Sequence, residues 1–441
     1  MYSTYSGSRS AGLLAGAAPA RRSSPHSFPP SPGGPLSLAP VSDVDLYTES
    51  ARIDPYGIYA ELRALGPVVY LTRHDLYALP RYDEVRAASM DWKTFSSARG
   101  VFVDPGVNAR LEGITLCSDP PEHTAMRSVL GRPLRPDRMR ELTPRIEAEA
   151  DRIVERLVGR GRFEVVTELA EYLPMTVVSD LVGLPDHGRE KMLEWAAAIW
   201  DTQGPADDRA AAAGPAVEEF MRFAMHDAVP GRIEPGGWAA QLYEAADRGE
   251  IPRDKCPVMM LDYVTPSLDT TIIAITNAVA LFARNPDQWE LLRADRSLIP
   301  HAMNESLRLE TPAPQFSRVL TEDHEIGGVP LAAGSRVALL YASANRDERH
   351  YPDPERFDIT RRPSDHLAFG RGEHVCVGMH LARLEMSALL ERLADRVDGF
   401  EIIEHRPLIN NGLRGLDRLE VAIEHTRPRE TAIEPVRPRT S

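Results

Sequence analysis

From about residue 120 to residue 310 the apolar positions recur every three or four residues, the spacing of helices that each bury one face. The clearest runs are Ile146 to Leu157, Met175 to Leu184, Ala216 to Ala228 and Val258 to Arg284. Pro55 to Leu65 shows the same spacing through Tyr59, Leu62 and Leu65. Elsewhere the period changes. Val68–Leu71 and Leu76–Leu79 flank a polar turn and predict a hairpin. Residues 325–341, EIGGVPLAAGSRVALLY, join β-branched residues to a Gly-Gly and an Ala-Ala-Gly turn and predict strands. Residues 346–375 are rich in Pro, Asp and Arg with little periodicity, and so long a stretch without elements in a compact domain is usually functional. Leu381 to Val397 is helical again, with Leu384, Leu389, Leu393 and Val397 on one side, and residues 400–424 predict a terminal hairpin. The expected fold is mainly α with a smaller β portion.

The two ends read differently. Residues 1–44 are rich in Ser, Pro, Gly and Ala and are expected to be a disordered tail, and residues 427–441 a flexible charged one. No linker breaks the segment between them, so residues 45–426 are expected to form a single domain. The 441 residues, 43% of them hydrophobic, suffice for a large core, and no internal repeat is visible. A net charge of -14 argues against nucleic acid as a partner. The best candidate for a membrane span, Thr270 to Ala283, holds Thr and Asn and falls short of the ~18 apolar residues a span needs. It reads as a buried core helix, and no membrane association is expected. Ala11 to Ala20 is faintly like a signal sequence but lacks a strong basic region before it. The protein is expected to be cytoplasmic. Three cysteines, Cys117, Cys256 and Cys376, without paired spacing argue against a disulfide framework. The ordinary role of each is a small buried residue.

The surroundings of Cys376 change that reading. Residues 369–378 are FGRGEHVCVG. Gly370 and Gly372 permit a tight turn, and Gly378 opens the helix that follows. A thiolate just ahead of a helix N-terminus is favoured by the positive end of the helix and by nearby peptide N–H groups. The string resembles the haem-binding signature of the cytochrome P-450 family, F-x-x-G-x-x-x-C-x-G, with that family's frequent second Gly and its His two positions before the Cys. The resemblance extends over about residues 50–425. It implies a single-domain cytochrome P-450 fold, with haem b between a long central helix and the helix after the cysteine. It also implies a monooxygenase whose Cys376 thiolate is the axial ligand of the iron.

Further motifs fit the same resemblance. Haem has two propionates, and Arg pairs well with carboxylates. DPPEHTAMR at residues 119–127 resembles the family's His-x-x-x-Arg helix, which assigns His123 and Arg127 to the haem, together with Arg318 and His374. ESLR places Glu305 and Arg308 at i and i+3, and Arg356 in PERF resembles the family's later Arg. The three are expected to form a structural salt bridge that pins the irregular loop. PSLDTT at residues 266–271 resembles the central-helix motif, with Asp269 as acid and Thr270 as alcohol for proton delivery to oxygen. Pro266 and Ser267 stand where the family usually has small residues, and Pro266 is expected to kink the helix.

A finer similarity points to bacterial members that oxidise para-substituted benzoates. It rests on SARGV at 97–101, FARNPDQW at 282–289, SANRD at 343–347 and NNGLRGL at 410–416. Arg99 is the expected partner of a substrate carboxylate, and Phe102, Phe316 and Leu413 are expected apolar walls. The implied reaction is hydroxylation or O-demethylation of a small aromatic molecule by a monomeric enzyme using O2. Its electrons would come from a ferredoxin and an NAD(P)H-dependent ferredoxin reductase. Arg127, Arg132, Arg135, Arg371 and Arg383 fall in segments that the family places near the cysteine ligand, a basic face suited to an acidic ferredoxin. A tailoring oxidase that couples phenols or aryl groups of peptides is the alternative. A non-catalytic haem sensor would not need Asp269 and Thr270, and a zinc site lacks further ligands at metal spacing.

Overall fold

The computed structural model describes residues 39–424. Its axis is the helix Leu261–Arg284, called the central helix below. Thr271 to Phe282 are buried without interruption, because Ile, Ala, Val, Leu and Phe occupy nearly every position of that stretch. Such an all-round apolar helix must lie in the core of a large protein or in a membrane. The continuous stretch Arg253–Arg284 is long and apolar enough to cross a bilayer, contrary to the sequence expectation, but most of it is buried inside the protein. Helices Asp186–Asp201, Ile299–Leu309 and Met379–Arg396 surround the central helix. The last of these, the cysteine helix, also lies along Pro136–Val158, where Asp151 pairs with Arg392 at 3.1 Å and Arg396 at 2.6 Å.

The β portion is smaller, as expected. One sheet has six strands in the order Val41–Ser42, Val69–Leu71, Leu76–Leu79, Arg336–Leu339, Phe316–Leu320, Phe95–Ser96. The expected hairpin is there, with Tyr70 opposite Tyr77. The terminal hairpin pairs Gly399–Pro407 with Leu416–Glu424, and Arg162–Glu164 adds a third strand. Val41–Ser42, Phe95–Ser96 and Arg162–Glu164 have two or three residues each, too few to show alternation. The expected disordered tail is corrected at its end: Val41 pairs with Tyr70, and the Pro40 carbonyl accepts from the Tyr70 N–H at 2.8 Å. The open edge of strand Val69–Leu71 supplies partners that composition alone does not reveal. The rest of that tail, and the expected tail at 427–441, lie outside the described residues.

The irregular segment is held from beneath by a buried ion pair. Glu305 and Arg308 are fully buried and meet in two parallel bonds, at 2.7 and 2.8 Å. Arg308 also donates to the carbonyls of Asn345 and Pro354, both at 2.8 Å, and of Arg356 at 3.3 Å. The expected third member is corrected. Arg356 is exposed, and only its carbonyl joins the network. Arg356 closes a turn, its N–H on the Asp353 carbonyl at 3.1 Å, and it is Phe357 beside it that turns into the core. Arg361 takes the place, with its Nε 3.3 Å from Glu305 Oε1 and its other nitrogens on the carbonyls of Pro352 and Asp353. Breaking a buried pair strands the partner's charge and costs about 3–5 kcal/mol. Glu305→Ala is therefore expected to lower the unfolding temperature of the haem-loaded protein steeply. Arg361→Ala should lower it less, and Arg356→Ala should stay within about 0.5 kcal/mol of the parent. Thermal unfolding of the three variants checks this order.

Candidate active site

The loop before Cys376 follows the two glycines. Gly370 and Gly372 have φ of 66° and 70°, the left-handed region. A Cβ on Gly372 would stand 2.5 Å from the Ser89 carbonyl oxygen, so no other residue fits there. The Cys376 N–H donates to the Phe369 carbonyl at 2.8 Å, and Arg127 donates to the Val375 carbonyl. Burial pushes the Cys376 thiol up. The Gly378 and Met379 peptide N–H groups, Arg127 and Arg383 oppose that. These are the groups that would stabilise a thiolate once a metal displaces the proton.

Cys376 lines a cavity that opens to solvent, and the empty space in the cavity and its open mouth together comes to about 1520 Å³. Its other wall is a stripe of the central helix: Asp262 and Tyr263, Pro266 and Ser267, Thr270 and Thr271, then Ala274. Steps of three and four keep these residues on one side of a helix. The helix runs on through Pro266, which has no N–H to offer the Asp262 carbonyl. The Thr270 hydroxyl donates to the Pro266 carbonyl at 2.7 Å and borders the cavity. Asp269 sits beside the stripe instead of on it. It is half-buried, with its Oδ2 buried and unpartnered, and its carboxyl is pushed up to about 8, first by burial and then by Glu171 and Asp201.

The four expected haem-binding residues come together. His123, Arg127, Arg318 and His374 all line the cavity. The two imidazoles lie 4.3 Å apart. His374 is held neutral, pulled down to about 2 by burial and then by Arg318, His123 and Arg127. Both ring nitrogens of His123 and Nε2 of His374 are buried without a hydrogen-bond partner. Buried polar atoms without partners are uncommon and call for an explanation. A planar group with acidic arms, seated between Cys376 and the central helix, supplies it. The residues present fit haem.

The expected substrate residues divide. Phe316 lines the cavity. Phe102, its ring 6.4 Å from that of Phe316, stands behind it in a small adjoining pocket. Leu413 is buried against Trp200 and Ile273. Arg99 is exposed and lies outside the cavity wall, which corrects its expected role. The turn decides this: Gly100 N–H bonds to the Ser97 carbonyl, and Asn108 clamps Phe102 inward through two bonds of 2.8 and 3.0 Å. Sequence reasoning missed Thr115, Trp200, Trp238 and Asp262, all on the wall. Asp262 was open to detection, because it lies eight residues before Thr270, two steps of four along one helix face.

A family model described as cytochrome P-450 matches residues 241–398. CYP199A2, a cytochrome P-450 of Rhodopseudomonas palustris, is 36% identical over 391 residues, covering 87% of this chain and 94% of that protein. The chain belongs to the cytochrome P-450 family. Linalool 8-monooxygenase of Pseudomonas putida is 32% identical over 87% of this chain and 98% of its own length. The crystal structure of CYP109E1 from Bacillus megaterium in complex with testosterone superposes with a TM-score of 0.77 at 25% identity, covering 85% of this chain and 99% of that one. This protein is therefore a P-450 monooxygenase that carries haem b on a cysteine thiolate, and its fold is the mainly helical single-domain fold of the family. Cys376→Ala is expected to abolish the red-shifted carbonyl band of the reduced, CO-bound protein. An absorption spectrum with that band intact would remove the thiolate from this site.

Proposed function

We propose that the enzyme inserts one oxygen atom of O2 into a small aromatic molecule, by hydroxylation or O-demethylation, with electrons from a ferredoxin and its NAD(P)H-dependent reductase. The single observation that carries this is one cavity bordered by Cys376, by Thr270 and by the four basic residues His123, Arg127, Arg318 and His374. In this reading Cys376 binds the iron, while His123, Arg127, Arg318 and His374 hold the propionates. Haem bound through a thiolate supplies the activation of O2, because the sulfur pushes electron density toward it. Everything else falls to the chain. Trp200, Trp238 and Phe316 give the cavity flat apolar walls suited to a ring.

Insertion of one oxygen atom leaves the other to depart as water, so each turnover takes two electrons and two protons. Thr270 holds the hydrogen bond at the oxygen side of the cavity. Asp269 lies one residue away, with Glu171 and Asp201 acting on its carboxyl. These carboxyl groups connect Thr270 to solvent protons. The electrons arrive from the cysteine side, where Arg135 is exposed and Arg371 and Arg383 flank the loop. A local excess of Arg on an acidic protein suits an acidic ferredoxin. The reaction takes place in the cytoplasm, where such carriers are found.

The reading is tested with the haem-loaded enzyme, ferredoxin, reductase and isotopically labelled O2. Small aromatic molecules should shift the iron to high spin and emerge carrying one labelled oxygen atom. In Thr270→Ala, NAD(P)H consumption should continue while product falls and hydrogen peroxide appears. Full coupling in that variant would remove Thr270 from the oxygen step. Asp269 titrates at about 8, so its acid form is present at neutral pH and is lost as pH rises through that value. Turnover is expected to fall on that alkaline limb. Asp269→Asn should be slower by about a hundredfold, the order expected for general acid catalysis, and its profile should lack the limb.

A further inference from the structure

One polar feature of the cavity wall is left over by the reaction. Asp262 stands on the central helix two turns before Thr270, on the stripe that borders the cavity. Its Oδ2 is buried and has no hydrogen-bond partner. Thr115 lies beside it on the same wall, its buried hydroxyl within reach of the carboxylate but in no well-aligned bond. Around them the wall is apolar, with Trp238, Leu116 and Leu130 close at hand in the same cavity. A carboxylate oxygen left without a partner in such a place is strongly disfavoured unless something satisfies it.

Thr115 offers its hydroxyl and its peptide N–H to the carboxylate, and no group on the other neighbouring elements satisfies Oδ2. Tyr263 donates its hydroxyl to the Leu130 carbonyl at 3.1 Å. Cys117 is a buried thiol that Asp262 pushes further up. Arg127 is the one cation that acts on Asp262, and it donates to the Val375 carbonyl. With haem in place, Arg127 would be committed to a propionate. Burial raises the Asp262 carboxyl to about 6, with Thr115 and Arg127 opposing, so it still ionises below neutral pH. The cavity thus presents a negative charge with a free lone pair to whatever enters.

We propose that Asp262 determines substrate choice, and that the substrate is a ring-sized apolar molecule bearing a protonated amine. The ammonium N–H donates to Asp262 Oδ2, and the apolar body lies along the aromatic wall toward Thr270. A buried charge-assisted bond of this kind is stronger than a neutral one and is highly selective. The same carboxylate repels an aromatic acid, and Arg99, the residue expected to receive such an acid, is outside the cavity. This inference rests on the proposed monooxygenase site and narrows its substrate.

The test uses three ligands built on one para-ethylbenzyl group on the haem-loaded enzyme: para-ethylbenzylamine, para-ethylbenzyl alcohol and para-ethylphenylacetate. Their binding is measured by calorimetry, with the spin-state spectrum read in parallel. The amine should bind at least about tenfold more tightly than the alcohol, and the acid most weakly. In Asp262→Asn the advantage of the amine should vanish and the acid should gain. The wild-type ranking needs no variant, so a variant that fails to fold leaves the test intact. Equal binding of amine and alcohol, tighter binding of the acid, or a ranking that Asp262→Asn leaves in place would overturn the proposal. The carbonyl band separates the two levels. If it is present and the ranking is wrong, only the role of Asp262 falls. If it is absent, the haem site itself falls.

Discussion

A sulfur that must carry negative charge inside a protein is the constraint from which the rest of this structure follows. Burial favours the thiol over the thiolate at Cys376, and the chain opposes burial with two peptide N–H groups and two arginines. Those donors act over a few ångströms, so the loop must be fixed closely. Gly370 and Gly372 provide the turn, and the Phe369 carbonyl ties back to the Cys376 N–H. The loop rests in turn on the Glu305–Arg308 pair, which reaches it through Arg361, Asp358 and the carbonyls of Pro354 and Arg356. A buried ion pair seldom adds much net stability, but it imposes a geometry that apolar side chains would leave loose. Here that geometry serves a reactive atom some twenty residues further along the chain.

The central helix divides its labour by angle. Neighbouring residues on a helix point about 100° apart. Thr270 therefore borders the cavity while Asp269 turns toward Glu171 and Asp201. Two adjacent residues thus touch two environments, one apolar and built for substrate, one acidic and able to hold protons. Pro266 disturbs the ladder of the helix just where the cavity is widest in chemistry, and the Thr270 hydroxyl takes up the Pro266 carbonyl. Such a bond to the carbonyl one turn back is common for Thr in helices and leaves the oxygen free to accept another.

Much of this was legible in the sequence, and the exceptions have physical causes. Long elements such as Leu261–Arg284 and Met379–Arg396 carry enough periods to be seen, and the glycines before Cys376 have a steric reason for their positions. Strands of two residues carry no period at all. The third member of the ion-pair network was misplaced because Arg356 and Arg361 are chemically alike. Only the inward turn of Phe357 distinguishes them. Asp262 was overlooked because an acid near a helix N-terminus has an ordinary explanation, its favourable interaction with the helix dipole. Its lack of a partner exists only in three dimensions.

The segments that suggested an aromatic acid as substrate turn out to serve the scaffold. In NNGLRGL, Arg52 donates to the Asn410 carbonyl at 2.8 Å, and Arg414 pairs with Glu310. In SANRD, Asn345 bonds to Thr311 at 2.9 Å and to the Leu367 N–H at 2.7 Å, while Arg346 holds the Leu309 carbonyl. In FARNPDQW, Gln288 accepts from the Ile359 N–H at 3.1 Å and Trp289 donates to the Val397 carbonyl at 3.2 Å. SARGV is a turn clamped by Asn108. Each segment satisfies backbone groups that any occupant of the cavity would need kept in place. Likeness in such segments reports a shared frame. Specificity is a difference between affinities and resides in the few polar atoms that meet the ligand. On this wall the polar atoms include those of Asp262 and Thr115, and neither residue falls within a segment that carried the likeness.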